Sequence, residues 1–254
     1  MVLSLGVDTG GTYTDAVLIQ GETEVIASAK SLTTRTDLAI GMGKAIQAVL
    51  EHADVRPEQI SMASLSTTLA TNALVEGQGG RVALIYIGFR GRDLEAHGLA
   101  EALKGDPALV LAGGHNHAGG EAQPLDEQAL IGFLETHKDD VSGFAVASQF
   151  ATRNPEHEVS ARDIIREVTG APVTCSHELS AKLGGPKRAM TAVLNARLIG
   201  MIDHLIGATE AYLQNAGITA PMMVVRGDGA LISAEMARER PIETILSGPA
   251  ASIV

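Results

Sequence analysis

The sequence predicts an α/β protein with a mixed sheet, in which antiparallel strands near the N-terminus are followed by parallel strands. The first thirty residues contain three short apolar runs separated by tight glycine-containing turns, a pattern typical of an antiparallel meander. From residue 81 onward, short apolar runs alternate with amphipathic stretches, as they do in parallel α/β sheets. Of the 254 residues, 45% are hydrophobic and 19% are charged, which is typical of a folded chain.

The elements of the N-terminal third follow from the spacing of apolar residues. Between Leu38 and Leu50, apolar side chains recur every three or four residues, which predicts a helix beginning at Thr36-Asp37. Gly77 is expected to end a second helix. The predicted elements are strands at residues 2–7, 16–19, 25–29 and 60–65, and helices at residues 36–50 and 68–75.

The rest of the chain alternates between strands and helices, with one irregular part. Residues 88–124 are rich in glycine and histidine and poorly patterned, so we interpret them as an insertion. Pro186 begins a long helix with an apolar stripe that extends to about residue 216. The other predicted elements are strands at residues 81–87, 143–148, 172–175, 222–225 and 242–246, helices at residues 126–137 and 155–168, a turn at residues 226–229 and a helix start at residues 247–252.

Charge and cysteine content argue against several classes of protein. There are 19 basic and 30 acidic residues, for a net charge of −11, which argues against a nucleic-acid-binding surface. Cys175 is the only cysteine, which excludes a disulfide framework. Apolar runs end well short of about 18 residues and no signal segment opens the chain, so we expect a soluble cytoplasmic protein that does not enter membranes.

The strongest chemical signal lies in the first predicted hairpin, at residues 6–15 (GVDTGGTYTD). Gly10 and Gly11 let backbone N–H groups approach an anion because no Cβ stands in the way. Asp8 ends the first strand, where its carboxylate can hold a hydrated Mg²⁺ against bound phosphates, and Asp15 can support the turn or hold a water. The alternative is a plain hairpin whose side chains satisfy local backbone groups. Further hydroxyl donors come from Thr9, Thr12 and Thr14.

Ser66, Thr67 and Thr68 lie where a predicted strand ends and a helix begins. Hydroxyl and N–H groups at a helix start suit a carboxylate, a carbonyl or a phosphate. Any of the three would serve equally well as an ordinary N-cap, so both interpretations stay open. Near the start of the long helix, Lys187 and Arg188 are either solvated charges or reach toward a bound anion.

The histidines of the insertion are a candidate metal site. In an extended segment, His115 and His117 would face the same side, with Glu121 nearby, and such side chains can ligate Zn²⁺ or another divalent ion. A polar surface loop is the favoured alternative because a third ligand cannot be identified. Cys175 is interpreted as a small core residue rather than a nucleophile, although His177 lies two residues away.

The hairpin and three later segments together resemble one protein family. The hairpin resembles the first phosphate loop of the actin-like ATPase superfamily. Residues 66–73 (STTLATNA) are similar to a G-T-T-x-A-T-N-A segment, residues 226–231 (RGDGAL) to an S-D-G-G segment, and residues 239–250 (ERPIETILSGPA) to an R-P-x-x-T-x-x-S-G-P-A block. These segments occur in the order found in the hydantoinase/oxoprolinase family, which the sequence resembles from residue 3 to its end.

The resemblance implies a ribonuclease-H-like lobe of the actin-like ATPase type, followed by a long helix and the start of a second lobe. We therefore expect one domain at residues 1–180, and the helix with the beginning of the second lobe at residues 181–254. Family members are usually longer and carry a second D-x-G-G-T hairpin after the S-G-P-A block. The sequence is thus expected to be the N-terminal part of such a protein.

The resemblance also implies ATP and Mg²⁺ as ligands and the opening of a cyclic amide, such as a hydantoin or 5-oxoproline, as the reaction. Transfer of the γ-phosphate to the amide oxygen would make an imidate that water can hydrolyse, with catalysis mainly by positioning and charge neutralisation. Asp8 and Asp15 are the expected catalytic residues. The expected nucleotide-binding residues are Thr9, Gly10, Gly11, Thr12 and Thr14, and the expected substrate-binding residues are Ser66, Thr67, Thr68 and Asp228.

Three other functions are compatible with the sequence: a small-molecule kinase of the same superfold, a subunit of an ATP-dependent carboxylase, and a nucleotide-binding subunit without turnover. A second hydantoinase-type subunit is the expected partner. Because the nucleotide of actin-like proteins lies between two lobes, we expect these 254 residues alone to bind ATP weakly and to be inactive. An uncovered apolar face on the long helix would favour homo-oligomers.

Overall fold

The chain folds into two units, each built around its own sheet. The computed structural model describes residues 2–21, 23–34, 38–95 and 97–248. One unit extends to Gln78 and resumes at Met201, and the other comprises Gly79–Gly200. This division differs from the expected boundary at residue 180, because strands formed after residue 220 belong to the N-terminal sheet.

Three strands begin the chain, and strands and helices then follow one another to its end. The strands are β1 (Leu3–Thr9), β2 (Tyr13–Gln20), β3 (Glu24–Leu32), β4 (Ile60–Thr67), β5 (Val82–Ile87), β6 (Ala108–Leu111), β7 (Gly143–Ser148), β8 (Val173–Cys175), β9 (Met222–Val225) and β10 (Leu231–Ser233). The α-helices are α1 (Leu38–Ala53), α2 (Leu69–Glu76), α3 (Leu99–Leu103), α4 (Glu127–His137), α5 (Glu156–Thr169), α6 (Ser176–Leu179), α7 (Gly185–Asn215) and α8 (Ala234–Glu239). Short 3₁₀ helices lie at Pro57–Gln59, Gly91–Glu95 and Pro241–Thr244.

The first sheet has the strand order β10-β9-β4-β1-β2-β3. Its first three strands in the sequence form the predicted antiparallel meander, in which Asp8 lies opposite Asp15. β4 and β9 join in parallel, and β10 pairs antiparallel with β9. Alternate residues of β1, among them Leu5 and Val7, are buried, while α1 packs on β2 and β3. Because side chains alternate along a strand, Asp8 points to the less covered face of the sheet.

The second sheet is parallel throughout, in the order β6-β5-β7-β8. Every residue of β5 is buried, because helices cover both faces of the sheet. Leu84 and Tyr86 belong to a cluster that includes residues of α3 and α7, whereas Ile85 and Ile87 belong to one that includes residues of α4 and α5. This burial on two faces explains why the sequence of β5 is continuously apolar rather than alternating.

Two predicted segments differ from the structure. Residues 88–124 are not irregular throughout, since they contain α3 and β6, and β6 pairs with β5. Residues 242–246 were expected as a strand, but Pro241 begins a 3₁₀ helix, a start that its fixed φ favours. β10 and α8 were not anticipated. The predicted helix start at Thr36-Asp37 and residues 249–252 of the last predicted helix lie outside the described residues.

Helix α7 contributes residues to both units. Within the described part of the chain, it is the one helix long and apolar enough to cross a membrane, by length and composition. Of its most apolar stretch, 56% is buried inside the protein. Core helices of soluble proteins can have the same length and composition, so α7 is only weak evidence for a membrane span.

Candidate functional site

Gly10, Gly11 and Thr12 form the tip of the β1–β2 hairpin. The Gly10 N–H donates to the Tyr13 carbonyl over 2.9 Å, and the Thr33 hydroxyl donates to the Gly10 carbonyl, also over 2.9 Å. A Cβ on Gly10 would lie 3.1 Å from the Tyr13 carbonyl oxygen, closer than an ordinary contact. The tip is therefore a fixed turn in which the absence of a side chain leaves room for an anion beside the backbone.

The three threonines of the hairpin do not all face outward. Thr9 and Thr14 are buried, and the Thr14 hydroxyl lies 2.9 Å from that of Thr33. The Thr9 hydroxyl has no hydrogen-bond partner among the described residues. Thr12 alone of the three is exposed. In this structure, strand alternation turns the side chains of Thr9 and Thr14 inward.

Asp8 has one carboxylate oxygen held by the protein and one open. The Ser66 hydroxyl donates to Asp8 Oδ1 over 2.7 Å, and Oδ2 has no hydrogen bond within the described chain. Asp15, which lies across the hairpin from Asp8, forms an ion pair with Lys30, with 3.1 Å between Oδ1 and Nζ. These four residues line a groove of about 570 Å³ on the less covered face of the first sheet. Because Mg²⁺ commonly takes one or two carboxylates and keeps several waters, the open oxygen of Asp8 fits a hydrated ion.

Ser247 and Gly248, from the C-terminal motif, lie against the end of β4 beside Asp8. Ser247 Oγ donates to the Thr67 carbonyl over 2.9 Å and accepts from the Thr67 N–H over 3.2 Å. A Cβ on Gly248 would lie 2.7 Å from Thr68 Cγ2 and 3.4 Å from Asp8 Oδ1. Only glycine fits there without displacing its neighbours. The fold thus brings together the hairpin, the Ser-Thr-Thr segment and the C-terminal motif.

Within the Ser-Thr-Thr segment, the three hydroxyl groups have different partners. The Thr67 hydroxyl donates to the Thr9 carbonyl over 2.9 Å and accepts from the N–H of Leu69, the first residue of α2, over 3.0 Å, so it joins the start of α2 to β1. Thr68 Oγ1 accepts a long bond of 3.5 Å from the Asn72 amide. The N-cap residue itself, Thr68, makes no side-chain capping bond, while Ser66 faces Asp8.

Asp228 lies in an exposed turn between β9 and β10. Both its carboxylate oxygens accept from the Arg226 guanidinium, with Nε 2.9 Å from Oδ1, and the Ala230 N–H donates to Oδ1 over 3.1 Å. These bonds hold the pKa of Asp228 well below its ordinary value. In this structure, both oxygens of the Asp228 carboxylate are therefore used in bonds within its own turn.

The two histidines expected to share a side differ in their surroundings, since His115 forms a β-bridge with Glu121 and His117 lies in the turn that follows. His115 is buried, and neither of its ring nitrogens has a hydrogen-bond partner among the described residues, whereas His117 is exposed. The ring of His157, which the sequence did not single out, lies 4.4 Å from that of His115. His157 Nδ1 accepts from the Gly114 N–H at 2.8 Å, so Nε2 carries the proton and donates to Glu121 at 3.1 Å. His157 therefore has no lone pair free for a metal, and a set of three ligands is not formed around His115 within the described chain.

The protonated form of His115 is disfavoured in this structure. Burial and the neighbouring His157 lower the pKa of His115, while Glu156 and Glu121 oppose that shift. Of these two carboxylates, that of Glu156 places its Oε2 atom 4.0 Å from His115 Nε2. A buried, neutral ring packed beside His157 fits a structural role for His115.

Glu158 is the centre of a buried polar cluster that sequence reasoning missed. Ligand atoms of Glu158, Cys175 and His177 lie within 4.8 Å of one another. The Glu158 carboxylate already accepts from the Ser148 N–H at 2.7 Å, the Ser176 hydroxyl at 2.6 Å, and the His177 N–H and Nδ1 at 3.0 and 2.6 Å. Burial raises the pKa of the Cys175 thiol. With all carboxylate positions filled and the thiol protonated, the cluster is a structural network rather than a metal site.

Arg188 is neither solvated nor aimed at an open anion site. It is buried, and it donates to the carbonyls of Ser148 at 2.8 Å and Leu183 at 2.9 Å and to the Ser176 hydroxyl at 3.2 Å. Its guanidinium thus joins β7 and the segment before α7. No pattern in the sequence distinguishes such an arginine from an exposed one.

Comparisons with known proteins identify the family to which this chain is similar. The hydantoinase/oxoprolinase N-terminal region matches residues 4–169, and the hydantoinase/oxoprolinase region that follows matches residues 188–254. The acetophenone carboxylase gamma subunit of Aromatoleum aromaticum is 30% identical over 99% of this chain, and the caprolactamase subunit alpha of Pseudomonas jessenii is 27% identical over 98%. The chain spans 38% of the length of each of these two relatives.

Solved structures confirm the fold. Nucleotide-free acetone carboxylase superposes with a TM-score of 0.83 at 20% identity, and the ATP-dependent caprolactamase of Pseudomonas jessenii with a TM-score of 0.82 at 27% identity. Each match covers 98% of this chain and 39% of the other. The predicted α/β architecture, with a mixed sheet and a long helix, is therefore confirmed. These matches, together with the motifs that meet at Asp8, show that the chain belongs to the hydantoinase/oxoprolinase family.

Proposed function

We propose that this chain is the ATP-binding region of an enzyme that opens a small cyclic amide with the use of ATP. The observation that carries the proposal is the meeting of the glycine hairpin, Ser66 and Gly248 around the carboxylate of Asp8. The likeness to an ATP-dependent caprolactamase supports the choice of a cyclic amide. Because the chain spans 38% of that relative, the reaction belongs to a longer protein.

The residues of this chain would act mainly by positioning. The hairpin tip at residues 10–12 would lie against the terminal phosphates, because Gly10 and Gly11 have no side chains to keep an anion from the backbone. Asp8, oriented by the Ser66 hydroxyl, would hold a hydrated Mg²⁺, which neutralises phosphate charge when bound. Gly248 keeps the approach to Asp8 free of a side chain. Such an arrangement lowers the barrier of phosphoryl transfer by orientation and electrostatics, since the protein has little covalent chemistry to perform.

The proposed reaction activates the carbonyl carbon of the ring amide, which water attacks only slowly. The amide oxygen attacks the γ-phosphorus, and the bond to the bridging oxygen breaks to release ADP. Water then adds to the activated carbon and the ring C–N bond breaks, leaving an amine and an acyl phosphate. A second water releases phosphate and the carboxylate. ATP is required because an unactivated amide is a poor electrophile.

A second candidate is a subunit of an ATP-dependent carboxylase. The acetophenone carboxylase gamma subunit, at 30% identity, favours it. Phosphorylation of a carbonyl oxygen would serve this reaction as well, so the same hairpin and Asp8 would be used. The two candidates differ in whether bicarbonate is consumed.

We propose further that the enzyme acts in the cytoplasm together with a second hydantoinase-type subunit. Two of the relatives are themselves subunits, of acetophenone carboxylase and of caprolactamase, which supports a partner. The 254 residues alone are proposed to be inactive, since they would hold a nucleotide from one side only.

The test is a product balance on the full-length protein with its partner subunit. With ATP and a series of lactams, we expect equal amounts of ADP and ring-opened amino acid, and no opened product without ATP. Ring opening that continues without ATP would contradict the proposal. A stable phosphorylated product would instead identify a kinase, and incorporation of labelled bicarbonate a carboxylase.

A further inference from the structure

A second pocket borders the hairpin tip. It has a volume of about 260 Å³ and includes Gly11 of the tip and Thr33, whose hydroxyl holds the Gly10 carbonyl. Its remaining lining comes from the start of α1, from α2 and the residues after it, and from α7, all within the first unit. A molecule in this pocket would therefore lie next to the turn proposed to hold the phosphates. The lining residues that carry the argument are Leu38, Leu69, Asn72, Glu76, Met201 and His204.

The pocket walls suit a small ring with one amide group. Leu38, Leu69 and Met201 offer apolar surface, and Asn72 offers a carboxamide. The Asn72 amide makes one long bond of 3.5 Å to Thr68, and its side-chain oxygen makes none within the described chain. A carboxamide can donate to a ring carbonyl and accept from a ring N–H at the same time. The volume lies below the roughly 300 Å³ at which pockets for drug-sized ligands begin, so a small molecule is favoured.

The charges at the pocket favour a neutral ligand. Glu76 is one of the lining residues, whereas lysine and arginine are absent from the lining residues that the structure describes. The Glu76 carboxylate accepts from the Gln78 amide over 2.6 Å and has no cationic partner in the described chain. His204 is exposed and forms no ion pair with described residues. An anionic ring such as 5-oxoproline would meet an uncompensated carboxylate there.

We propose that this pocket binds the neutral cyclic amide substrate and that Asn72 orients its ring amide toward the hairpin tip. The assignment rests on the proposed function and deepens it, since it selects a neutral lactam over a carboxylated one. Asn72 is then a substrate-binding residue, in addition to those that the sequence singled out.

Binding of ε-caprolactam to the full-length protein, measured by calorimetry or ligand-observed NMR without ATP, tests the assignment. Leu69→Trp fills the pocket, and we expect it to weaken binding at least about tenfold. Asn72→Leu keeps a similar volume and removes the polar group, and we expect a loss of about tenfold. The matched control is Val75→Trp on the same helix, whose side chain is 83% exposed, and we expect unchanged affinity.

The outcomes separate this assignment from the proposed function. Equal binding by Leu69→Trp, Asn72→Leu and Val75→Trp would overturn the pocket, as would tighter binding of 5-oxoproline than of ε-caprolactam or no binding of either. If ATP-dependent ring opening persists unchanged in Leu69→Trp and Asn72→Leu, the pocket is wrong and the function stands. If ε-caprolactam binds as expected but ATP is never consumed, the pocket stands and the function is wrong. Circular dichroism and the unfolding transition show whether each variant is folded.

Discussion

Gly227 lies where a side chain would collide with the backbone of the segment that follows. A Cβ there would be 2.1 Å from the Ile245 carbonyl oxygen, and the Gly227 N–H donates to the Glu243 carbonyl over 2.9 Å. Because the obstacle is backbone, no side-chain rotation relieves it. Gly207, in α7, has open space where its Cβ would be.

The two glycines should therefore respond in opposite directions to alanine. We expect Gly227→Ala to lower the free energy of unfolding by about 1–3 kcal/mol through overpacking. We expect Gly207→Ala to raise it by about 0.5–1 kcal/mol, because alanine loses less backbone entropy in a helix. Urea unfolding of both variants at one pH measures this. A neutral Gly227→Ala would show that residues 243–245 do not pack as described.

At the scale of elements, α7 is tied to the second sheet by a buried arginine. Arg197 donates to the carbonyls of Leu103 at 2.7 Å, Ala102 at 3.2 Å and Gly80 at 3.2 Å, and its Nη2 lies 2.7 Å from an oxygen of Asp106. Two of these carbonyls end α3, where a cation is favoured by the helix dipole. One guanidinium thus joins α7, α3 and the chain before β5.

Lysine cannot replace this planar fork of donors. We expect Arg197→Lys to lower the free energy of unfolding by about 2–3 kcal/mol, since several buried acceptors lose their donors. The matched control is Arg166→Lys on the exposed side of α5, for which we expect a change within about 0.5 kcal/mol. Equal stability of the two variants would mean that the Arg197 contacts contribute little.

Among the elements, the sequence is most informative where burial produces a clear periodicity of apolar residues. The strand at 143–148 was predicted with its observed bounds. The long helix was predicted to begin at residue 186, one residue after its observed start. β6 was missed because a four-residue strand carries little pattern and depends on pairing with β5. The segment after Pro241 was misassigned because a short apolar run does not distinguish a strand from a 3₁₀ turn.

At the scale of the whole chain, the candidate site combines what local sequence shows with what only the fold brings together. The glycine hairpin and Asp8 could be recognised from residue types alone. The bond between Ser247 and Thr67 joins positions 180 residues apart, and no spacing rule predicts it. The inward side chains of Thr9 and Thr14 depend on strand register, which the motif does not reveal. Asn72 lay within a recognised segment, but its pocket appears only once α2 and α7 are placed.

The central claim is that Asp8 serves ATP-dependent chemistry at the hairpin. Asparagine has nearly the same shape and still accepts from Ser66, so Asp8→Asn removes charge while leaving the packing intact. Asp163→Asn, at an exposed carboxylate on α5, is the control. Full-length protein with its partner subunit should be used, because this chain spans 38% of its relatives' length.

The decisive measurement is the rate of ADP formation coupled to lactam opening in these two variants. We expect Asp8→Asn to lose at least about 100-fold in rate, because charge stabilisation at the transferring phosphate is removed, with an unchanged unfolding transition. Asp163→Asn should turn over like the wild type. A folded Asp8→Asn protein that forms ADP and opened product near the wild-type rate would contradict the account.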